Sequence, residues 1–253
     1  MKLFTNINWK NRVLSPSCAS HYINNADGYY EYIGAHYCLD PLTDHVASHN
    51  LSVFDPKKAA AMYFWYKMAD KNDASIIKYF PEYKNCIDKN HKAFNSNYGL
   101  YANDGIKRCI NELLSNKSSR QACFLINNNC AMSPNSIDKL CTNAIMFFIR
   151  YNALYMVVQM RSSNFLTLLP YDMFIFSVWY AKVYNALIRK YTSLETTDIE
   201  MQVASHHYYD ADYVNKSSCL QSNNLEQIFD YNDICDHNFE NILENKLLKF
   251  LKS

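Results

Sequence analysis

The feature that most constrains the fold is the segment from Asp172 to Tyr191, DMFIFSVWYAKVYNALIRKY, which is apolar on almost every side. A surface helix carries its apolar residues on one stripe, whereas a helix that is apolar all round is enclosed by other elements. The segment therefore predicts a long, central, buried helix that begins at Asp172.

Two apolar runs precede this helix, at residues 143–150 and 153–160. Both runs are almost continuously apolar over the length of a strand, so we expect strands that are buried on both faces. Tyr151 and Asn152 separate the two runs and are compatible with a tight turn. The pattern therefore predicts a β-hairpin in the core.

The rest of the chain supplies further elements of both kinds. Aromatic and apolar runs predict strands at 27–38, 121–127 and 199–210. Helix formers and caps predict helices at 56–69, at 103–115 with Asn103 or Asp104 as the cap, and at the amphipathic tail 239–253. No linker or repeat divides the sequence. Residues 1–253 are therefore predicted to form a single α+β domain.

Charge and hydropathy exclude several classes of partner. The 253 residues have a net charge of +1, which gives no electrostatic basis for direct binding to nucleic acid or to a membrane surface. No uninterrupted apolar run reaches the ~18 residues that a bilayer span needs. The opening MKLFTNINWK lacks an apolar run after its lysine, so we expect no signal peptide and a cytoplasmic protein.

The cysteines and glycines exclude other classes. The nine cysteines are irregularly spaced without a CxxC pair, so we expect reduced thiols and no metal site. The simplest interpretation of each cysteine is that it serves as a small buried apolar residue. Only four glycines are present. Neither a phosphate-binding P-loop nor a dinucleotide fingerprint can be built from them.

An ordered set of short motifs resembles the thymidylate synthase superfamily. The set comprises NSNYG at 95–99, CTNAIMFFIR at 141–150, MRSSN at 160–164, an aspartate that opens the buried helix, and SHHYY at 205–209. The branch that it resembles most is the deoxycytidylate 5-hydroxymethyltransferases of phages. The resemblance implies a thymidylate synthase-like fold, in which a large mixed β-sheet packs on a long buried helix. It also implies a homodimer that makes precursors of modified DNA, in the host cytoplasm if the source is viral.

The resemblance further implies a reaction. In that family a thiolate adds to C6 of a pyrimidine nucleoside monophosphate, and C5 then takes a one-carbon unit from 5,10-methylenetetrahydrofolate. Cys141 stands at the position of the nucleophile, where a covalent adduct divides one difficult step into easier ones. The alternative is a structural cysteine at the start of a strand.

Three residues match the family's phosphate contacts. Arg161 and Ser162 match the pair that binds phosphate within one subunit, and guanidinium groups suit phosphate because they offer paired donors. Arg120 matches an arginine that reaches into the partner's site. The alternative is that these arginines are solvated surface residues.

Four further residues match positions around the base and sugar. Asp172 stands at the base-reading position, where a carboxyl suits cytosine better than uracil. Its alternative role is a helix N-cap. His207 and Tyr209 match residues that hold a sugar hydroxyl, although aromatic packing is an equal alternative for the histidine pair. Tyr98 matches an active-site tyrosine.

Three departures from the family pattern open other functions. Met62 replaces the glutamate of an early helix, Asn164 replaces an aspartate on the folate side, and Leu168 replaces a glycine that lets folate approach. A thioether cannot act as an acid or a base. Two alternatives therefore stand beside the hydroxymethyltransferase: a non-catalytic relative that binds or scaffolds, and chemistry by Cys141 without folate. The motifs do not separate deoxyribose from ribose substrates.

Overall fold

The computed structural model describes residues 23–25, 28–46, 54–87, 94–127, 138–209, 211–212 and 226–253. The strands in these ranges are β1 (Ile23–Asn25), β2 (Tyr29–Leu39), β3 (Cys123–Leu125), β4 (Thr142–Arg150), β5 (Ala153–Asn164) and β6 (Glu195–Tyr209). The α-helices are α1 (Pro56–Met68), α2 (Gly99–Ser115), α3 (Leu169–Ile188), α4 (Tyr231–Cys235) and α5 (Phe239–Lys252). Short 3₁₀ helices occupy Asp44–Val46, Ser75–Lys78 and Pro81–Cys86.

The six described strands form one mixed sheet in the order β1-β2-β6-β5-β4-β3. Only β5 and β6 run parallel, and the other neighbouring pairs are antiparallel. Helix α3 connects the parallel pair, because parallel neighbours need a long crossover between them. The predictions of an α+β chain and of a mixed sheet are confirmed.

Helix α3 is the central, buried helix that the sequence predicted. Fifteen of its twenty residues are buried, and it packs against α1, α2, α4, α5, β5 and β6. The predicted start at Asp172 is wrong, because the helix begins three residues earlier at Leu169. Pro170 fits this first turn, where a helix does not need the missing backbone N–H.

The predicted hairpin joins β4 and β5. Tyr151 and Asn152 have φ values of 51° and 60°, the left-handed pair that a two-residue turn requires for strands with natural twist. The expectation that both faces are buried is wrong. Phe147 is fully buried, whereas Met146 and Phe148 on the other face are half-buried, because the described helices cover one face of the sheet.

Helix α2 begins earlier than predicted because its first turn is fixed by helix α1. Neither Asn103 nor Asp104 is the cap, since the helix starts at Gly99. A Cβ atom on Gly99 would overlap the carbonyl oxygen of Tyr66, so only glycine permits this close approach of the two helices. The amide of Asn103 donates to the carbonyls of Tyr66 and Lys67 at 3.3 and 3.2 Å.

The remaining elements follow the predictions with shifted bounds. Strand β6 starts at Glu195, four residues before the predicted run, and β3 is limited to three residues. The tail forms α5 and buries Leu243 and Leu247 on its inner stripe, as its amphipathic pattern predicted.

Candidate active site

The β4–β5 hairpin brings the predicted nucleophile and the predicted phosphate pair into contact. Cys141 directly precedes β4, and Thr142 lies opposite Met160 in the antiparallel register. The Sγ atom of Cys141 is 3.4 Å from Oγ of Ser162 and 3.8 Å from Nη2 of Arg161. These residues meet because they are nearly equidistant from the hairpin turn.

The guanidinium of Arg161 is fixed by the segment that leads into Cys141. Its Nε donates to the carbonyl of Leu140 at 2.8 Å, and Nη2 donates to the carbonyl of Lys139 at 2.9 Å. Nη1 donates to Oγ of Ser162 at 3.0 Å. Nη2 also points its second N–H at the Cys141 sulfur. An arginine has five N–H donors, so about one remains, on Nη1. Arg161 alone therefore has too few free donors for the phosphate site that the resemblance implies.

Opposing influences act on the thiol of Cys141, a half-buried residue. Burial raises its pKa above the ordinary value, while the Ser162 hydrogen bond and the Arg161 charge act against that rise. The carboxyl groups of Asp172 and Asp138 add to the rise. A cysteine attacks as the thiolate, so the charges around the sulfur control its reactivity.

Asp172 lies in the first turn of α3 and faces the same cluster. The N-cap alternative is wrong, because Leu168 occupies that position and accepts from the Asp172 backbone amide at 3.0 Å. Burial raises the pKa of Asp172 to about 7. Near neutral pH its carboxyl is therefore protonated in part and can donate as well as accept. Its charge also acts on Cys141 and Tyr98.

Tyr98 supports the backbone at the nucleophile. Its hydroxyl oxygen accepts from the backbone amides of Cys141 and Thr142, each at 3.3 Å. Its ring stacks on Tyr66 with centroids 5.4 Å apart, and burial raises its pKa well above the ordinary value. Tyr98 therefore remains a neutral hydroxyl that positions the strand start.

His207 lies near Arg161, whose charge acts on its ring. Burial lowers its pKa, while a backbone hydrogen bond at Ser205 and the charge of Glu31 act against that effect. The charge of Arg161 adds to the lowering. Its Nδ1 atom is buried and has no hydrogen-bond partner within the described residues. The rings of Tyr209 and His207 are edge-on, with their centroids 5.4 Å apart. Tyr209 is 46% exposed. These two side chains leave polar atoms for a ligand.

His206 takes the packing role that the sequence left open for the histidine pair. It is 1% exposed and its ring stacks on Phe165 at 4.8 Å. Its Nε2 is 2.8 Å from the Tyr37 hydroxyl. Burial lowers its pKa to about 3, so this ring is neutral and structural.

The two residues at folate-side positions do not fit a pterin cofactor. The Oδ1 atom of Asn164 accepts from the amides of Leu166 and Thr167 at 3.1 and 3.3 Å. Its Nδ2 donates to Asp212 at 2.9 Å. Leu168 packs against the hydrophobic core. Both side chains serve the turn before α3, so neither offers the carboxylate or the open backbone that the family pattern uses.

Arg120 is not brought to the site by its own chain. It is exposed and lies between Ser119, whose carbonyl accepts from Arg150, and Ala122, whose carbonyl accepts from Phe147. These contacts place it at the far end of β4. That strand has nine residues, so its ends are roughly 27 Å apart at ~3.4 Å a residue.

One buried residue near the thiol, Asp138, was missed at the sequence level. Asp138 is 3% exposed, and its charge acts on Tyr66, Tyr83 and Cys141. Its position three residues before the cysteine was the available signal. Met62, at the position of the family's glutamate, is 1% exposed in the core and supplies no acid.

The described residues hold no group of three or more His, Cys, Asp or Glu side chains placed for a metal ion. His45 and His49 have the spacing of a ligand pair, but His49 lies outside the described residues. Both ring nitrogens of His45 are engaged: Nδ1 with the carbonyl of Pro41, and Nε2 with the amide of Ile228.

Among the described helices, none combines the length and the apolar character of a bilayer span.

No protein-family model matches the chain, and no curated protein matches its sequence. With no relative to suggest a function, the side chains that meet at Cys141 are the basis for assigning one.

Proposed function

We propose that the protein is a transferase for pyrimidine nucleoside monophosphates, of the cytidylate 5-hydroxymethyltransferase type and with a thymidylate synthase-like fold. One observation carries this proposal: the Cys141 sulfur is 3.8 Å from the Arg161 guanidinium and 3.4 Å from the Ser162 hydroxyl. A nucleophile beside an anion-binding pair suits a substrate with an electrophilic ring carbon and a phosphate.

The first step is addition of the Cys141 thiolate to C6 of the pyrimidine. The S–C6 bond forms, and the electron pair of the C5=C6 bond moves to C5. C5 then takes up a proton from solvent. When C5 loses its original hydrogen as a proton, the double bond re-forms and the thiolate leaves. The Ser162 hydroxyl and the Arg161 guanidinium favour the thiolate at both ends of this cycle.

Asp172 favours cytosine as the base. With a pKa of about 7, its carboxyl is protonated in part at neutral pH and donates to N3 while its second oxygen accepts from the exocyclic amine. Uracil presents a donor at N3 and an acceptor at O4, which reverses both contacts. A cytidine monophosphate is therefore the preferred substrate class.

His207 and Tyr209 are the proposed contacts of the sugar. The buried Nδ1 of His207 has no partner within the described residues, and a sugar hydroxyl satisfies it at low cost. Tyr209 is 46% exposed beside it. Ribose and deoxyribose both retain the 3′-hydroxyl, so this pair accepts either.

Methylenetetrahydrofolate is the one-carbon donor that the resemblance implies. Because Asn164 and Leu168 do not fit it, no step proposed for the chain's own residues runs through this cofactor. Addition at C6 and exchange of the C5 hydrogen are the part of the reaction that the described side chains support.

A homodimer belongs to the proposal because the phosphate site is incomplete within one chain. Arg161 retains few free donors, and Arg120 lies at the other end of β4. A second copy that packs on the half-buried apolar face, which includes Met146 and Phe148, brings its own Arg120 towards the neighbouring site.

Mixing inactive Arg120→Ala and Cys141→Ser proteins should then restore part of the activity. In a mixed dimer, one site combines an intact Cys141 from one copy with an intact Arg120 from the other. Unchanged inactivity of a mixture shown to exchange subunits argues against this dimer.

The function is tested with dCMP tritiated at C5, with and without methylenetetrahydrofolate. Tritium release that requires folate supports the hydroxymethyltransferase. Release that is independent of folate supports C6 addition alone. Absence of release in both arms, with the chain folded, overturns the enzyme.

A non-catalytic nucleotide-binding relative is the second candidate. It is favoured by Met62, which is fully buried where the family has an acid, and by the engaged Asn164. Tight dCMP binding without tritium release, unchanged in Cys141→Ser, supports this candidate.

A further inference from the structure

The turn at residues 95–98 is a fixed platform beside the site. Asn97 is fully buried, and its amide donates to the carbonyls of Trp65 and Asp70 at 3.1 and 3.3 Å. Its side-chain oxygen accepts from the Gly99 amide at 3.1 Å. These contacts fasten the turn to the end of α1, so the turn has little freedom to move.

Asp138 joins this platform to the segment that carries the nucleophile. Its carboxyl is 3% exposed, and Oδ2 accepts from the backbone amide of Ser96 at 2.7 Å. A buried carboxylate is costly unless it is hydrogen-bonded. An apolar side chain at this position would avoid that cost. The buried carboxylate therefore indicates a role other than packing.

Further contacts fix the residues that follow Asp138. The carbonyls of Lys139 and Leu140 accept from the Arg161 guanidinium at 2.9 and 2.8 Å. The amide of Cys141 donates to the Tyr98 hydroxyl. Asp138 is therefore the first of several successive anchors, and it is the one with a charge of its own.

We propose that Asp138 is a positioning residue for the Cys141 thiol, which it holds against Arg161 by tying residues 138–141 to the turn at 95–98. The inference deepens the proposed function and rests on it for its consequence in catalysis. Asp138 also affects the thiol through its charge. The charges of Arg161 and Asp172 also act on the thiol. The charge of Asp138 acts in addition on Cys86 and on the buried Tyr66 and Tyr83.

Three substitutions separate position from charge. Asp138→Ala removes both the acceptor and the charge. Asp138→Asn keeps an acceptor for the Ser96 amide and removes the charge. Asp138→Glu keeps the charge but is longer by one methylene. Asp104→Ala is the matched control, because Asp104 is an exposed aspartate of α2.

The first two measurements need no substrate: amide hydrogen exchange at residues 95–98 and 138–142, and the pH profile of iodoacetamide alkylation at the Cys141 peptide. Asp138→Ala should lower amide protection at Cys141 and Thr142 at least about tenfold. Asp138→Asn should retain that protection and alkylate about three- to tenfold faster near neutral pH, because a negative charge near the sulfur is gone. Asp138→Glu should lose protection without faster alkylation.

The third measurement is C5 tritium release from dCMP, which Asp138→Ala should slow about 100-fold, since small misplacements of a nucleophile have effects of that size. If the unsubstituted protein releases no tritium, the proposed function fails, and the first two measurements still decide the role of Asp138. Wild-type protection and a wild-type alkylation profile in both Asp138→Ala and Asp138→Asn would overturn the proposal. If Asp138→Ala does not fold, Asp138→Asn and Asp138→Glu decide the same question.

Discussion

Two cysteines, Cys141 just before β4 and Cys38 within β2, have different chemical surroundings. Both residues are half-buried, and burial is the largest cause of a raised pKa at each thiol. Cys38 lies opposite Glu200 in the β2–β6 register, with its sulfur 3.4 Å from the carboxylate oxygens. Cys141 instead meets Ser162 and Arg161.

The two thiols differ in the charged side chain that lies beside each sulfur. Glu200 adds to the effect of burial, and the pKa of Cys38 rises to about 12. The Ser162 hydroxyl and the Arg161 guanidinium oppose burial at Cys141. Partial burial alone therefore does not make a thiol inert or reactive, because the neighbour that strand pairing supplies decides which charge state is favoured.

The largest expected effect is the loss of catalysis on substitution of Cys141, which substitution of Cys38 should not cause. Cys141→Ser should reduce C5 tritium release from dCMP by about 10³-fold or more, because a removed nucleophile leaves only binding effects. Cys38→Ser should leave the rate unchanged. The rate of release under saturating dCMP checks both. Equal rates for Cys141→Ser and the unsubstituted protein would remove Cys141 from the mechanism.

Asp172 should make the Cys141 end of the molecule sensitive to pH. Its pKa is about 7 in the folded chain and near ~3.9 when unfolded, so the folded chain holds the proton more tightly. Stability from this group is present at low pH and is lost as pH rises from about 4 to about 7.

Asp172→Asn removes that loss. We expect it to raise the free energy of unfolding at pH 8 by on the order of 4 kcal/mol at most, with little change near pH 4. Urea unfolding at the two pH values measures the difference. A gain of the same size at both pH values would contradict a raised Asp172 pKa.

Removing the guanidinium should make the two cysteines more alike. Arg161→Met is expected to slow alkylation of Cys141 at pH 7.5 by about tenfold, because loss of a neighbouring cation raises the thiol pKa by roughly one unit. Mass spectrometry of the individual cysteine peptides measures this, with Cys38 as the internal reference. Arg189→Met, at the end of α3, is the matched control and should change neither peptide.

The smallest expected effect comes from the Cys38 side. Glu200→Gln removes the carboxylate and should lower the pKa of Cys38, so that its alkylation at pH 9 rises by about three- to fivefold. Cys141 should react as before. A faster reaction at Cys141 in this variant would mean that the two ends of the sheet are coupled.

Much of the fold could be predicted from local pattern. The apolar segment of α3 predicted burial on all sides, and Tyr151–Asn152 between two apolar runs was compatible with a tight turn. Counting outwards from that turn places Cys141 close to Arg161 and Ser162, so this part of the site was accessible from the sequence once the hairpin was recognised. The start of α2 was not accessible, because Gly99 is selected by the carbonyl of Tyr66 in another helix.

The sequence by itself determined which residues alternate, turn and form the buried helix, because these depend on neighbours within a few positions. Only the tertiary structure decided which polar groups remain for a ligand. It engages Asn164 with Asp212, uses most donors of Arg161 on nearby carbonyls, and buries Asp138 beside the thiol. Hydrogen bonds and charges between distant segments depend on distances that no local pattern contains.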